Sequence, residues 1–128
     1  MVSKVVRVAC LVGLATTILF VLASTGCGDN YNDTTPPIIT NVEVTDLSGT
    51  SATISWSTDE PSRSVVHYAG VYEHGTIGTL RQDKALVTGH SIKLEDLEAN
   101  RTYNYTVVSK DRWGNQATSE TFTFTTSS

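Results

Sequence analysis

From residue 38 onward, apolar and polar residues alternate in short runs broken by turn-forming residues, and no stretch sustains a 3.6-residue period. The alternation predicts a strand over 39–45, with Val42 and Val44 on one face. A second covers 51–57, where Ala52, Ile54 and Trp56 face inward and Thr53, Ser55 and Ser57 face water. The third covers 63–69, with Ser64, Val66 and Tyr68 on one face and Val65 and His67 on the other. Weak strands near 77–80 and 84–87 fill an irregular glycine-rich stretch, 70–89, and 91–94 follows with Ile92 and Leu94 inward. Over 102–110, Tyr103, Tyr105 and Val107 alternate with Asn104, Thr106 and Val108. The last strand, 117–126, sets Phe122 and Phe124 against Thr121, Thr123 and Thr125. Turns are expected at 47–50, 58–62 and 111–115, the last with Gly114 and Asn115 available for positive φ. Seven short strands and no helix predict an all-β sandwich of two facing sheets. Threonine suits its outward positions, being β-branched yet hydroxylated.

The first 26 residues follow another pattern. Lys4 and Arg7 precede an uncharged run from Val8 to Ala23, shorter than the roughly 20 apolar residues of a spanning helix. Ser24-Thr25-Gly26 then leads into Cys27. A cationic start, an apolar run and small residues before a cysteine resemble the signal peptide of a bacterial lipoprotein. Ser24 stands where that motif usually carries leucine, and Gly28 follows the cysteine where aspartate would favour inner-membrane retention. The resemblance implies export, cleavage after Gly26, lipidation at Cys27 and a membrane anchorage at the outer membrane or cell surface. Simple secretion to the periplasm or beyond, and an uncleaved anchor, are the alternatives. Residues 27–35 read as a polar tether, which Pro36-Pro37 stiffens at the domain entry.

What remains has room for one domain. All thirteen acidic residues and seven of the nine basic ones follow Cys27, for a net charge of −6. That balance argues against a nucleic-acid partner. The other cysteine, Cys10, lies within the signal, so no disulfide is expected and packing must supply the stability.

Three segments resemble a fibronectin type III domain, covering about 36–126: Ala52-Thr53-Ile54-Ser55-Trp56; Leu97-Glu98-Ala99-Asn100-Arg101-Thr102-Tyr103, similar to the L-x-P-x-T-x-Y corner with alanine in place of proline; and the alternation from Tyr103 to Val107. The resemblance implies an immunoglobulin-like, seven-stranded sandwich in which Leu97 closes the core and the Tyr103 hydroxyl bonds upstream backbone. A narrower resemblance, to the N-terminal domain of purple acid phosphatases, rests on Trp56-Ser57-Thr58, on Ser64-Val65-Val66-His67-Tyr68 with Gly70 one place late, and on His90. In that family this sandwich is an accessory module and the di-metal chemistry belongs to a separate domain. Gly114-Asn115 is followed by Gln116 rather than a histidine ligand, so phosphatase activity is not transferred.

No residue is assigned to catalysis, to a cofactor or to a metal. His67, His74 and His90 lack zinc-ligand spacing, and no serine sits in a nucleophile motif. Asp59, Glu60, Asp96 and Glu98 match no calcium loop and read as solvated turn residues. Trp113 is an unexpected side chain for a turn tip. There it either anchors a protein or carbohydrate partner or folds back over the core edge. Tyr72 and His74, in the other long loop, are candidates for a second contact surface. The expected role is that of a non-enzymatic binding or spacer module of the cell envelope. The alternatives are an accessory domain of a phosphoesterase system and a structural subunit of a surface assembly.

Overall fold

The computed structural model describes residues 32–128. The signal segment 1–26, Cys27 and the first part of the tether lie outside the described residues. The strands are β1 (Ile39–Thr45), β2 (Ala52–Tyr72), β3 (Gly75–Leu94), β4 (Thr102–Lys110), β5 (Gln116–Thr118) and β6 (Phe122–Thr125). No helix occurs among the described residues.

All strand pairs are antiparallel. The first half of β2 is flanked by β1, from Ile39↔Thr58 to Thr45↔Thr53, and by the end of β3, from Ala52↔Leu94 to Ser57↔Gly89. The second half of β2 lies between β4, from Arg63↔Lys110 to Gly70↔Tyr103, and the start of β3, from Ser64↔Asp83 to Tyr72↔Gly75. β5 and β6 continue this layer beyond β4. The seven strands of the immunoglobulin-like sandwich are thus present, with two long strands each serving both layers. The core is built from both: Ala52, Ile54, Trp56, Ile92 and Leu94 from one, and Val66, Tyr68, Tyr103, Tyr105, Val107 and Phe124 from the other.

Several expectations are corrected. Residues 58–62 form no turn, because β2 runs straight through them. Its pairing with β3 lapses between Ser57 and Ser62, and Pro61 sits in that gap, where its missing N–H costs no ladder bond. The stretch 70–89 is not an irregular loop but the tail of β2, a hairpin closed by Gly75 at φ +130°, and the long strand β3. The last strand is interrupted between β5 and β6. There the Ser119 N–H donates to the Val107 carbonyl at 2.9 Å, and the Ser119 hydroxyl accepts the Val107 N–H at 3.0 Å. β1 keeps its expected bounds but bulges between Thr40 and Glu43, where Asn41 adopts φ +53°.

The corner before β4 matches the resemblance. Leu97 is buried, and the Tyr103 hydroxyl accepts the Glu98 N–H at 2.9 Å. The Tyr103 ring stacks on Phe124, centroids 5.4 Å apart.

Candidate functional site

One end of the sandwich gathers the loop after β4, the middle of β2 and the incoming tether. Asp111 organises it. Its Oδ1 accepts the N–H groups of Trp113, Gly114 and Asn115 at 2.8, 2.7 and 2.9 Å, and its Oδ2 accepts the Asn115 side-chain amide at 2.7 Å. Gly114 supplies the positive φ, +97°, that closes the turn. Burial alone would raise the Asp111 pKa, but the bonds from Asn115, Gly114 and Trp113 outweigh it and hold the carboxyl below the usual aspartate value.

The tether is pinned to this end. Asn115 Nδ2 also donates to the Asp33 carbonyl at 2.8 Å, and the Ile38 N–H donates to Asp59 Oδ1 at 2.7 Å. The carboxylates of Asp33, Glu60 and Asp111 converge, with one oxygen from each within 4.8 Å of the others. Glu60 and Asp111 are buried and Asp33 half-buried. Hard oxygen donors grouped this way match what calcium accepts. Glu60 is therefore no solvated turn residue. The period-two run Trp56, Thr58, Glu60, Ser62 contains the signal that places it inside.

Trp113 is 41% exposed and belongs neither to the core cluster nor to the partly buried residues packed against it. The Arg112 guanidinium lies over its ring, 5.1 Å from the centroid. Tyr72 and His74 sit at the other end of the same sheet, by the β2–β3 hairpin. Tyr72 is committed to its neighbours: its hydroxyl donates to Glu98 Oε1 at 3.0 Å, and Arg101 lies over its ring at 4.5 Å. Arg101 in turn reaches Glu98 Oε2 at 2.9 Å. His74 is exposed at the turn. Trp113 and the pair Tyr72 and His74 therefore belong to separate surfaces.

The three histidines differ. His67 is exposed on the outer face of β2, beside a shallow depression shared with Leu80, Asn104 and Thr106. His90, just before the strand expected over 91–94, is buried between the layers and stacks on Trp56 at 4.8 Å with 6° between ring planes. Its Nδ1 pairs with the Ser64 hydroxyl at 2.7 Å and its Nε2 with the Thr58 hydroxyl at 2.8 Å. The Trp56 indole N–H donates to Ser109 Oγ at 2.9 Å, joining the two layers. Desolvation lowers the His90 pKa, so the ring stays neutral at pH 7. Sequence reasoning singled out Trp56, Thr58, Ser64 and His90 as a family pattern, and the structure makes them one buried polar network.

The model of the purple acid phosphatase N-terminal domain matches residues 37–126. No curated protein matches the chain. Among solved structures, a myokine structure is similar at 26% identity and TM-score 0.64, covering 73% of this chain and 100% of its own. The third fibronectin III domain of the human KIAA0343 protein is similar at 17% identity and TM-score 0.60, covering 81% of this chain and 93% of that one. The FN5 domain of Drosophila Lar is similar at 19% identity and TM-score 0.56, with coverages of 73% and 99%. These likenesses establish the fibronectin type III-like fold.

Proposed function

Because the chain belongs to the family of purple acid phosphatase N-terminal domains, we propose that it is a non-catalytic module of a bacterial cell envelope, exported and held at the membrane by acylated Cys27. The observation that carries this reading is a sequence one. Lys4 and Arg7, the uncharged run Val8 to Ala23 and the triplet Thr25-Gly26-Cys27 stand immediately before a domain whose core closes within residues 32–128. The internal chemistry supports a structural role as well. The imidazole and hydroxyls best suited to nucleophilic work, His90 with Ser64 and Thr58, bond one another inside the core. The domain then presents its two loop ends and outer sheet face to a protein or carbohydrate partner.

Expression in a bacterial host followed by mass spectrometry of the mature N-terminus tests the anchoring. Diacylglyceryl cysteine at Cys27 is expected, and Cys27→Ser should move the protein from the membrane to the soluble fraction. An unmodified wild-type chain in the soluble fraction would defeat this reading.

Family membership favours a second reading, an accessory role beside a separately encoded phosphoesterase. It predicts that the purified chain binds such an enzyme and changes its turnover, while hydrolysing no phosphomonoester by itself.

A further inference from the structure

We propose that the Arg112-Trp113 tip of the loop after β4 rests on the lipid surface, so that membrane headgroups are the ligand of this end of the domain. The inference rests on the anchoring reading of Cys27, and three observations carry it.

The first is chain length. Asp33 is fixed to this end through Asn115, and Ile38 through Asp59. Asp33 stands six positions after Cys27, a span of about 20 Å at full extension. An acyl chain on Cys27 thus keeps the Trp113 end, rather than the Tyr72 hairpin, within reach of the bilayer.

The second is chemistry. Trp113 is exposed with a guanidinium over its ring. Indole favours the membrane–water interface, and arginine pairs with phosphate headgroups. Ile38, 59% exposed, adds apolar surface at the same end.

The third is local charge. The chain as a whole is acidic, yet of the carboxylates here Glu60 and Asp111 are buried and Asp33 is half-buried. Asp59 is exposed and accepts the Ile38 N–H. Lys110, the last residue of β4, and Arg112, on the loop, are both exposed. The Asp111 bonds fix the loop's shape, so the tip need not be ordered on contact. The charge of −6 carried by the chain after Cys27 opposes binding from solution. The tether's high effective concentration is what lets so small a patch engage.

The test uses a chain beginning at Cys27, which keeps the whole compact unit Tyr31–Ser128 and one cysteine. That thiol is joined to a maleimide lipid in vesicles of phosphatidylcholine and phosphatidylglycerol containing brominated acyl chains. The chemical tether makes the readout independent of whether cells acylate Cys27. Tryptophan emission should shift to the blue and be quenched in the wild type, and Arg112→Glu should weaken the effect. Trp113→Phe should abolish it, leaving the unquenched signal of buried Trp56. No quenching in the tethered wild type, or equal quenching in Trp113→Phe, overturns the proposal and returns the loop to a protein or carbohydrate partner. Quenching here with no lipid on Cys27 in cells supports the contact while overturning the anchoring reading.

Discussion

Trp56 and His90 lie on neighbouring strands with their rings nearly parallel, 6° apart in plane and 4.8 Å between centroids, and each ring reaches a hydroxyl of the facing or adjoining strand. An aromatic stack thereby carries polar edges into the core without leaving them unpaired. His90→Ala removes the stack, opens a cavity and takes one partner from both Thr58 and Ser64. The expected loss is about 3 kcal/mol, combining cavity and unpaired-hydroxyl costs. His90→Phe keeps a ring in place and should cost less, about 1–2 kcal/mol, mostly at Ser64. Thr58 retains its bond to the Glu60 carbonyl. Urea denaturation of the three proteins orders them, and a His90→Ala change within error of wild type would refute the network's role.

The same burial makes stability depend on pH. Desolvation lowers the His90 pKa in the folded state, while the unfolded chain keeps the ordinary value of about 6.5. The unfolded state therefore binds the proton first. The contribution of neutral His90 is complete above about pH 6.5 and is lost as pH falls from there toward the lowered folded value. Thermal melts between neutral and mildly acidic pH should show a declining Tm in the wild type. The decline should flatten in His90→Phe, and an equal slope in both proteins contradicts the assignment.

The Tyr103 corner offers a smaller, cleaner test. Its hydroxyl accepts a single backbone N–H, from Glu98, while its ring is held by Phe124. Tyr103→Phe keeps the ring and orphans that part-buried N–H, for an expected loss of about 1 kcal/mol. Hydrogen exchange at the Glu98 amide should accelerate by more than at any residue of β2, and unchanged protection there argues against the bond.

The sandwich was legible because its signals are local. Period-two alternation placed Ala52, Ile54, Trp56, Tyr103, Tyr105 and Val107 inward, and the corner fixed Leu97 and Tyr103. What alternation does not encode is where a strand stops. Asp59-Glu60-Pro61-Ser62 has turn composition, yet the chain stays extended because it crosses between layers at a lapse in pairing rather than reversing. Glu60 was misplaced for the same reason. A carboxylate is rarely buried, so composition outweighed a period that pointed inward. At the loop end, Trp113 stood out as a large aromatic among small residues. Asp111, which builds the loop, did not, because its partners are backbone N–H groups that no sequence pattern displays.

Asp111 is therefore the sharpest probe of that end. It collects three backbone N–H groups and one side-chain amide on a single buried carboxylate. Asp111→Ala abandons all of them. Trp113 and Gly114 are exposed enough for water to replace part of the loss, so the expected cost is about 2–3 kcal/mol rather than the sum of four charge-assisted bonds. Asp111→Asn retains one acceptor oxygen and should fall between wild type and alanine. Because the folded pKa is lowered, the contribution is present above the ordinary aspartate range and is lost as pH falls through the lowered folded value. This acid-side decline lies below that of His90 and should vanish in Asp111→Asn while the His90 decline persists. Asn115 links the same carboxylate to Asp33. Asp111→Ala should therefore also loosen the tether, seen as faster proteolysis between residues 33 and 38. Cleavage at the wild-type rate in a destabilised Asp111→Ala protein means that the tether is held by Asp59 alone.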